Sequence, residues 1–131
     1  MHEPDLQTLN EILRKRGRFG HREHLELAWT YLDHHPVDVA HKSLAAAIRH
    51  VAELHGAPQR YHDTITQAWV RLVAVHRAAG AGRSFEQFIT EHPCLLDSTL
   101  LDRHYSRALI ASEQARAAWT EPDLRALPAT I

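Results

Sequence analysis

Histidine is the residue type that could do chemistry in this chain, since it occurs 12 times in 131 residues. Neutral imidazole binds ions such as Zn, Fe and Cu, and it accepts a proton near neutral pH. Two of the histidines, His21 and His24, are three residues apart, a spacing that places both side chains on one face of a helix. Side chains at that spacing can reach one metal ion, as in the Glu-x-x-His motif of di-iron helical bundles.

Further imidazoles are expected at the same end of the fold. Short connections make successive helices antiparallel, so the start of the second helix, the end of the third and the start of the fourth share one end. His62 lies there in the middle of an apolar arc. We therefore predict one transition-metal ion, Fe, Cu or Zn, held by His24 and His62 with His21 or His104. His55, at the end of the third helix, is an alternative ligand.

Aromatic residues accompany these candidate ligands. Tyr61 and Tyr105 each directly adjoin a candidate histidine, and a tyrosine beside a metal can act as an acid or a base. They are the predicted catalytic residues. Trp29 and Trp69 fall on inward-facing arcs and are predicted to pack against a cofactor. Heme with one axial histidine is the alternative cofactor.

Three protein ligands leave a coordination position open for a substrate. The sequence therefore predicts a histidine-ligated metalloenzyme acting on a small molecule, as an oxidoreductase or a metal-assisted hydrolase or lyase. Two alternatives stay open: a non-catalytic bundle that binds heme or a hydrophobic ligand, and a structural or partner-binding bundle with incidental histidines. The predicted arrangement of helices with inward-facing histidines is similar in kind to small bacterial three-histidine bundles and, more distantly, to hemerythrin-like bundles. The five-histidine, two-carboxylate pattern of hemerythrin is absent.

Several other polar residues are interpreted as not belonging to a site. Cys94 has no histidine partner at helical spacing, so a thiol nucleophile is not predicted. Glu23 and Glu26 face away from the apolar arc of their helix, which argues against a carboxylate-rich metal centre. His41 and His92 fall at polar positions or helix ends, and they are interpreted as surface residues.

Helical periodicity extends over most of the chain, with glycine and proline at the boundaries. It predicts an all-α fold, a compact antiparallel helical bundle without a sheet, forming one domain over residues 1–131. Residues 1–20 form a short N-terminal helix and turn, and residues 120–131 an extended tail. The four main helices are predicted at about 5–16, 21–34, 36–55 and 59–79, with shorter helices at about 84–91, 98–105 and 112–119. On the fourth helix, Asp63, Gln67 and Arg71 are predicted to face away from the core.

The amino-acid composition limits the classes of partner that the protein is expected to bind. The net charge of -1 gives no electrostatic footprint for nucleic acid or an anionic membrane. No apolar stretch is long enough to span a membrane. A single cysteine excludes an internal disulfide, so a reducing cytoplasm is the expected compartment. Abundant alanine and a preference for arginine over lysine suggest a bacterial source with a GC-rich genome. The oligomeric state stays open, with a homodimer among the options.

Overall fold

The helices begin and end close to the glycines and prolines that predicted their boundaries. The computed structural model describes residues 6–130, and this part of the chain is all-helical without a strand, which confirms the predicted fold class. Its α-helices are α1 (Gln7–Arg16), α2 (His21–His34), α3 (Val37–Leu54), α4 (Asp63–Ala79), α5 (Phe85–Glu91), α6 (Arg107–Ile110) and α7 (Glu113–Ala117). Short 3-10 turns lie at Pro58–Arg60, Pro93–Leu96 and Leu100–Arg103.

The core lies between the three longest helices. Helices α2, α3 and α4 pack pairwise against each other, while α1 and α5 contact α2 and α7 contacts α4. Completely buried side chains here include Leu25, Leu44, Val73, Phe88 and Leu95. Each such side chain contributes about 1.5–3 kcal/mol through removal from water. None of the helices in residues 6–130 has the length and apolar character needed to cross a lipid bilayer.

The helix boundaries have local physical causes. Helix α1 ends at Gly17, whose φ of 72° is left-handed and whose N–H donates to the carbonyl of Leu13. Pro36 separates α2 from α3, because the residue before a proline is disfavoured in a helix. The fourth helix begins at Asp63, four residues later than predicted, because residues 58–60 form a 3-10 turn. The predicted start of the first helix at residue 5 lies outside the described residues.

The last part of the chain is fixed by four side chains that donate to its main-chain carbonyls, two at the start of α4 and two directly before that part. We call residues 106–130 the C-terminal segment; it contains two short helices, and residues 118–130 are not helical. Its carbonyls therefore need donors from elsewhere, since buried carbonyls are almost always paired. The donor–acceptor pairs are His62 Nε2 with Ile110 (2.7 Å), Thr64 Oγ1 with Ala118 (2.9 Å), His104 Nδ1 with Arg125 (2.9 Å) and Tyr105 Oη with Thr120 (2.6 Å).

His62 has a second role at the start of α4. It is the residue that precedes the helix, and its Nδ1 accepts a hydrogen bond from the backbone N–H of Ile65 at 3.1 Å. Serine, threonine, aspartate and asparagine usually fill this capping position. Because Nε2 donates to Ile110 and Nδ1 accepts from Ile65, the ring must be neutral with its proton on Nε2.

We predict that His62→Ala lowers the free energy of unfolding by about 3 kcal/mol, since it removes a helix cap and leaves the Ile110 carbonyl without its donor. His62→Asn should lose less, because asparagine can cap α4 but cannot reach Ile110. Urea denaturation followed by circular dichroism measures both losses. His34→Ala, on an exposed position of α2, is the matched control. An equal loss in His62→Ala and His34→Ala would contradict the two roles given to His62.

Candidate functional site

Three of the four predicted metal ligands donate to backbone carbonyls. His62 and His104 donate to the C-terminal segment, and His21 Nε2 donates to the carbonyl of Leu95 at 2.8 Å while its ring meets Trp69 edge-on at 4.4 Å between centroids. In residues 6–130, no three His, Cys, Asp or Glu side chains are placed to hold a metal ion. The expected convergence of the four imidazoles on one ion is not found, because carbonyls at separate places in the fold bind His21, His62 and His104.

His24 differs from the other three histidines. Its Nε2 atom lies inside the protein without a hydrogen-bond partner. Burial, with a smaller contribution from His21, lowers the pKa of His24 to about 4. The ring is therefore neutral in the folded protein at pH 7. His55, the alternative ligand, is exposed, and its Nδ1 donates to the carbonyl of Val51 in its own helix.

The predicted cofactor-contacting residues are packed within the protein. Trp29 Nε1 donates to the carbonyl of Ala81 at 2.9 Å, and its ring packs against the rings of Phe85 and Phe88. Trp69 is buried against His21. Tyr105, predicted as catalytic, is buried, and its hydroxyl donates a hydrogen bond to the Thr120 carbonyl. Binding of a metal ion or heme at these residues stays a prediction from sequence.

The expectation that Glu23 and Glu26 face solvent is wrong. Both side chains are buried. Glu23 Oε1 accepts the backbone N–H of Gly20 at 2.7 Å, so it caps the start of α2, as a glutamate at the third helical position commonly does. Glu26 accepts a hydrogen bond from Arg16 at 3.2 Å, which links α1 to α2. Both carboxylates therefore stabilise the N-terminal helices, Glu23 as a cap of α2 and Glu26 as a link between α1 and α2.

A cavity between α3 and α4 brings together polar residues that the sequence analysis assigned to the surface. Its volume is about 520 Å³. We call it the α3–α4 pocket, and it is lined by Val37, Asp38, His41, Lys42, Gln67, Val70 and Arg71. His41, interpreted above as a surface residue, forms part of its wall, as do Gln67 and Arg71.

A histidine–carboxylate pair adjoins this pocket. His41 Nε2 is shielded from solvent, has no hydrogen-bond partner and lies 3.9 Å from Asp63 Oδ1. Asp63 is buried, contrary to the expectation that it faces away from the core. Its two oxygens accept hydrogen bonds from the Tyr61 hydroxyl (2.7 Å) and from Gln67 Nε2 (2.9 Å). Tyr61, predicted as a catalytic residue, thus holds the carboxylate that faces His41.

Burial and charge keep the imidazole of this pair neutral. Burial lowers the pKa of His41, Asp63 opposes that shift, and the cations Arg71, Arg49 and Lys42 reinforce it. A neutral ring at pH 7 can accept a proton. Burial and the Asp63 carboxylate raise the pKa of Tyr61, so its phenol keeps the proton that it donates.

Arg71 is the cation of the pocket best placed to receive an anion. Its guanidinium carbon lies 3.8 Å from the centroid of the Trp119 ring, and this cation–π contact fixes the side chain. Within residues 6–130, Arg71 forms no ion pair with a carboxylate. Its hydrogen-bond donors are therefore available to a ligand.

One signal in the sequence could have located this pocket. Asp63, Gln67 and Arg71 are spaced four residues apart, so they form a single polar stripe along α4. His41 lies one turn before Leu44 and Ala45, at the edge of the apolar face of α3. Periodicity places both features at the border of the core, where a neighbouring helix decides whether a side chain is covered.

We predict that stability falls as pH drops from about 6.5 to 4, because the unfolded chain protonates His24 near pH 6.5 while the folded chain resists protonation until about pH 4. That difference amounts to about 3 kcal/mol at the acid end. The lowered pKa values of His41 and His76 act in the same direction. Urea midpoints measured between pH 7 and 4 report the loss.

His24→Leu should make this pH dependence shallower, since leucine has no proton to bind. The exposed-site variant His34→Gln should keep the wild-type slope. A His24→Leu protein with the full wild-type slope would contradict the assignment to His24.

Comparisons with protein-family models, with curated proteins and with solved structures find no match to this chain. Function is therefore argued from the chemistry of the described residues.

Proposed function

We propose that this protein binds a small organic anion in the α3–α4 pocket. The observation that carries the proposal is the pairing of a cavity of about 520 Å³ with Arg71, a cation that has a fixed position and no carboxylate partner in the described residues. Pockets of about 300–1,000 Å³ with a few convergent polar groups are typical of small-molecule sites. The pocket is thus of the right size and chemistry for such a ligand.

The pocket's lining favours a ligand with two kinds of surface. Arg71 and Lys42 can bind a carboxylate or phosphate group, and a guanidinium can do so through two parallel hydrogen bonds. Val37 and Val70 offer apolar walls. A branched or cyclic hydrocarbon that carries one acidic group satisfies both. Asp38, also in the lining, disfavours ligands with several negative charges.

His41 gives the site an acid–base function. Its Nε2 is turned towards Asp63, which is itself fixed by Tyr61 and Gln67, so Nδ1 is the ring nitrogen left for a ligand. A carboxylate close to an imidazole is a common feature of general-base sites, and here the 3.9 Å separation brings Asp63 near Nε2 without a hydrogen bond. A bound anion adds negative charge beside the ring and therefore favours the imidazolium. Ligand binding and proton uptake by His41 are thus coupled.

We predict that 4-methylpentanoate, a monocarboxylate with a branched apolar chain, shifts backbone amide NMR signals of α3 and α4 around the pocket. Arg71→Gln should weaken its binding by about tenfold or more, because a charge-assisted hydrogen bond is worth about 1.5–3 kcal/mol. Arg83→Gln, at an exposed position, is the matched control. Shifts elsewhere, or equal affinity of the Arg71→Gln and wild-type proteins, would overturn the proposal.

The coupling to His41 has its own test, with methanesulfonate as the probe because it carries one negative charge throughout the pH range used. Its affinity should rise as pH falls from 7 to 5, since burial holds the pKa of the free His41 ring below its usual value and the imidazolium attracts the anion. His41→Gln should remove most of this rise. A pH dependence that persists unchanged in His41→Gln would assign the coupled proton to another group.

A transition-metal ion is the second candidate, and His24 favours it. Its Nε2 is buried without a partner, and His21, one turn earlier, uses Nε2 for the carbonyl of Leu95, so that Nδ1 is its remaining ring nitrogen. Together they can supply two imidazole ligands to Zn, Cu or Fe. Protein purified without an affinity tag should then contain a transition metal that is lost in His24→Leu and kept in His34→Gln. Metal-free wild-type protein would exclude this candidate, and a Soret band would favour heme.

A further inference from the structure

Cys94 lies at the end of a chain of hydrogen-bonding groups, at the opposite end of α4 from the α3–α4 pocket. Its Sγ is 3.8 Å from His76 Nε2, and His76 Nδ1 is 2.9 Å from His92 Nδ1. His92 Nε2 is 2.9 Å from the carbonyl oxygen of Gly80. Helical spacing alone gives Cys94 no histidine partner, but tertiary contacts provide one.

The turn between α4 and α5 makes this contact possible. His76 is in the last turn of α4, His92 follows the last residue of α5, and Cys94 is in the 3-10 turn Pro93–Leu96. Gly82 has a left-handed φ of 71°, and a Cβ there would lie 2.9 Å from the backbone nitrogen of Phe88. The chain therefore makes a tight turn at Gly82, and α5 packs back towards the end of α4.

The Gly80 carbonyl determines where each proton of the chain lies. A carbonyl can only accept, so His92 Nε2 carries a hydrogen. In a neutral ring Nδ1 is then an acceptor, and His76 Nδ1 must be the donor between the two imidazoles. His76 Nε2 is consequently unprotonated and faces the Cys94 thiol. The network orients a proton acceptor towards the sulfur.

The surroundings keep His76 in this form. The side chain is buried, and burial, with a smaller contribution from His92, lowers the pKa of His76. Cys94, by contrast, is exposed and accessible to a reagent. An accessible thiol beside a neutral, oriented imidazole is the arrangement that activates nucleophilic cysteines.

We propose that Cys94 is a nucleophilic thiol that reacts with low-molecular-weight disulfides, with His76 as its base and His92 as a positioning residue. In the reaction, the Cys94 sulfur attacks one sulfur of a disulfide RS–SR while its proton passes to His76 Nε2. The S–S bond of the reagent breaks, a Cys94–S–S–R bond forms, and the departing thiolate takes the proton from His76 and leaves as RSH. Cys94 is oxidised and the departing sulfur is reduced.

The chain has no second cysteine, so the product cannot be converted into a disulfide within this sequence. The mixed disulfide therefore persists until an external thiol attacks it. A mixed disulfide with a small thiol is a reversible modification of a cysteine. This site uses none of the residues of the proposed anion pocket, so the two proposals can fail independently.

The test is the second-order rate constant of the full chain with 4,4′-dithiodipyridine, an uncharged disulfide whose released thione absorbs light. Since Cys94 is the only cysteine, all of the signal comes from it, and Cys94→Ser should give none. We expect the native protein to react at pH 6.5 about tenfold faster than the urea-unfolded chain. We expect His76→Gln to lose that advantage, because glutamine cannot take up the proton. The exposed-site variant His35→Gln should react as wild type does.

The pair His92→Asn and His92→Leu tests the positioning role without touching the base. Asparagine retains an oxygen that can accept from His76 Nδ1, so it should keep most of the native rate, whereas leucine should reduce it. Far-UV circular dichroism checks that each variant is folded, and the His92 pair decides the case if His76→Gln does not fold. Native reactivity no greater than that of the unfolded chain, or equal rates in the two His92 variants, would overturn the proposal.

Discussion

An imidazole whose N–H donates to a main-chain carbonyl is the interaction on which this structure depends. It recurs at His21, His62, His92 and His104, whose acceptors are the carbonyls of Leu95, Ile110, Gly80 and Arg125. Each acceptor lies in a turn, a short helical segment or the tail rather than in a long helix. Imidazole suits this task because it is apolar enough to be buried and still supplies a donor. The unusual number of histidines thus has a structural use, whatever further chemistry some of them perform.

The same interaction has a chemical consequence. When one ring nitrogen of a neutral histidine donates, the other is left as an acceptor. At His62 the second nitrogen takes the backbone N–H of Ile65 and caps α4. At His76, which donates to His92, the second nitrogen faces the thiol of Cys94. The same hydrogen-bonding pattern therefore caps the start of α4 and leaves a proton acceptor near its end.

Helix α4 links both candidate sites. Its first two turns carry Asp63, which lies 3.9 Å from His41, and Gln67, which donates to Asp63 and lines the α3–α4 pocket. Its last turn carries His76. Between them, Arg71 contacts Trp119 of the C-terminal segment. Loosening of that segment would remove the contact that fixes the guanidinium, so the proposed anion site depends on the attachment of the segment.

The longer helices were predictable from sequence, whereas the sites were not. The prediction of a helix at about 98–105 was wrong, because that stretch forms only the 3-10 turn Leu100–Arg103, and α6 was not predicted. Leu25, Leu44 and Val73 repeat at helical spacing, and Pro36 and Gly80 mark boundaries, so local rules were sufficient for α2, α3 and α4. His62 was predicted to point inward, and it does. Its partner, however, is the carbonyl of a residue 48 positions away, in a stretch without periodicity. The contact of Cys94 with His76 also depends on a chain reversal that no helical spacing encodes.

The hydrogen bonds require specific tautomers at His62, His76 and His92, and long-range ¹H–¹⁵N correlation NMR of the imidazole rings at pH 7 measures them directly. We expect the proton on Nε2 in His62 and His92, and on Nδ1 in His76. Imidazolium signals for these three residues, or a proton on Nε2 of His76, would contradict the hydrogen-bond network on which the cap of α4 and the reactive thiol depend.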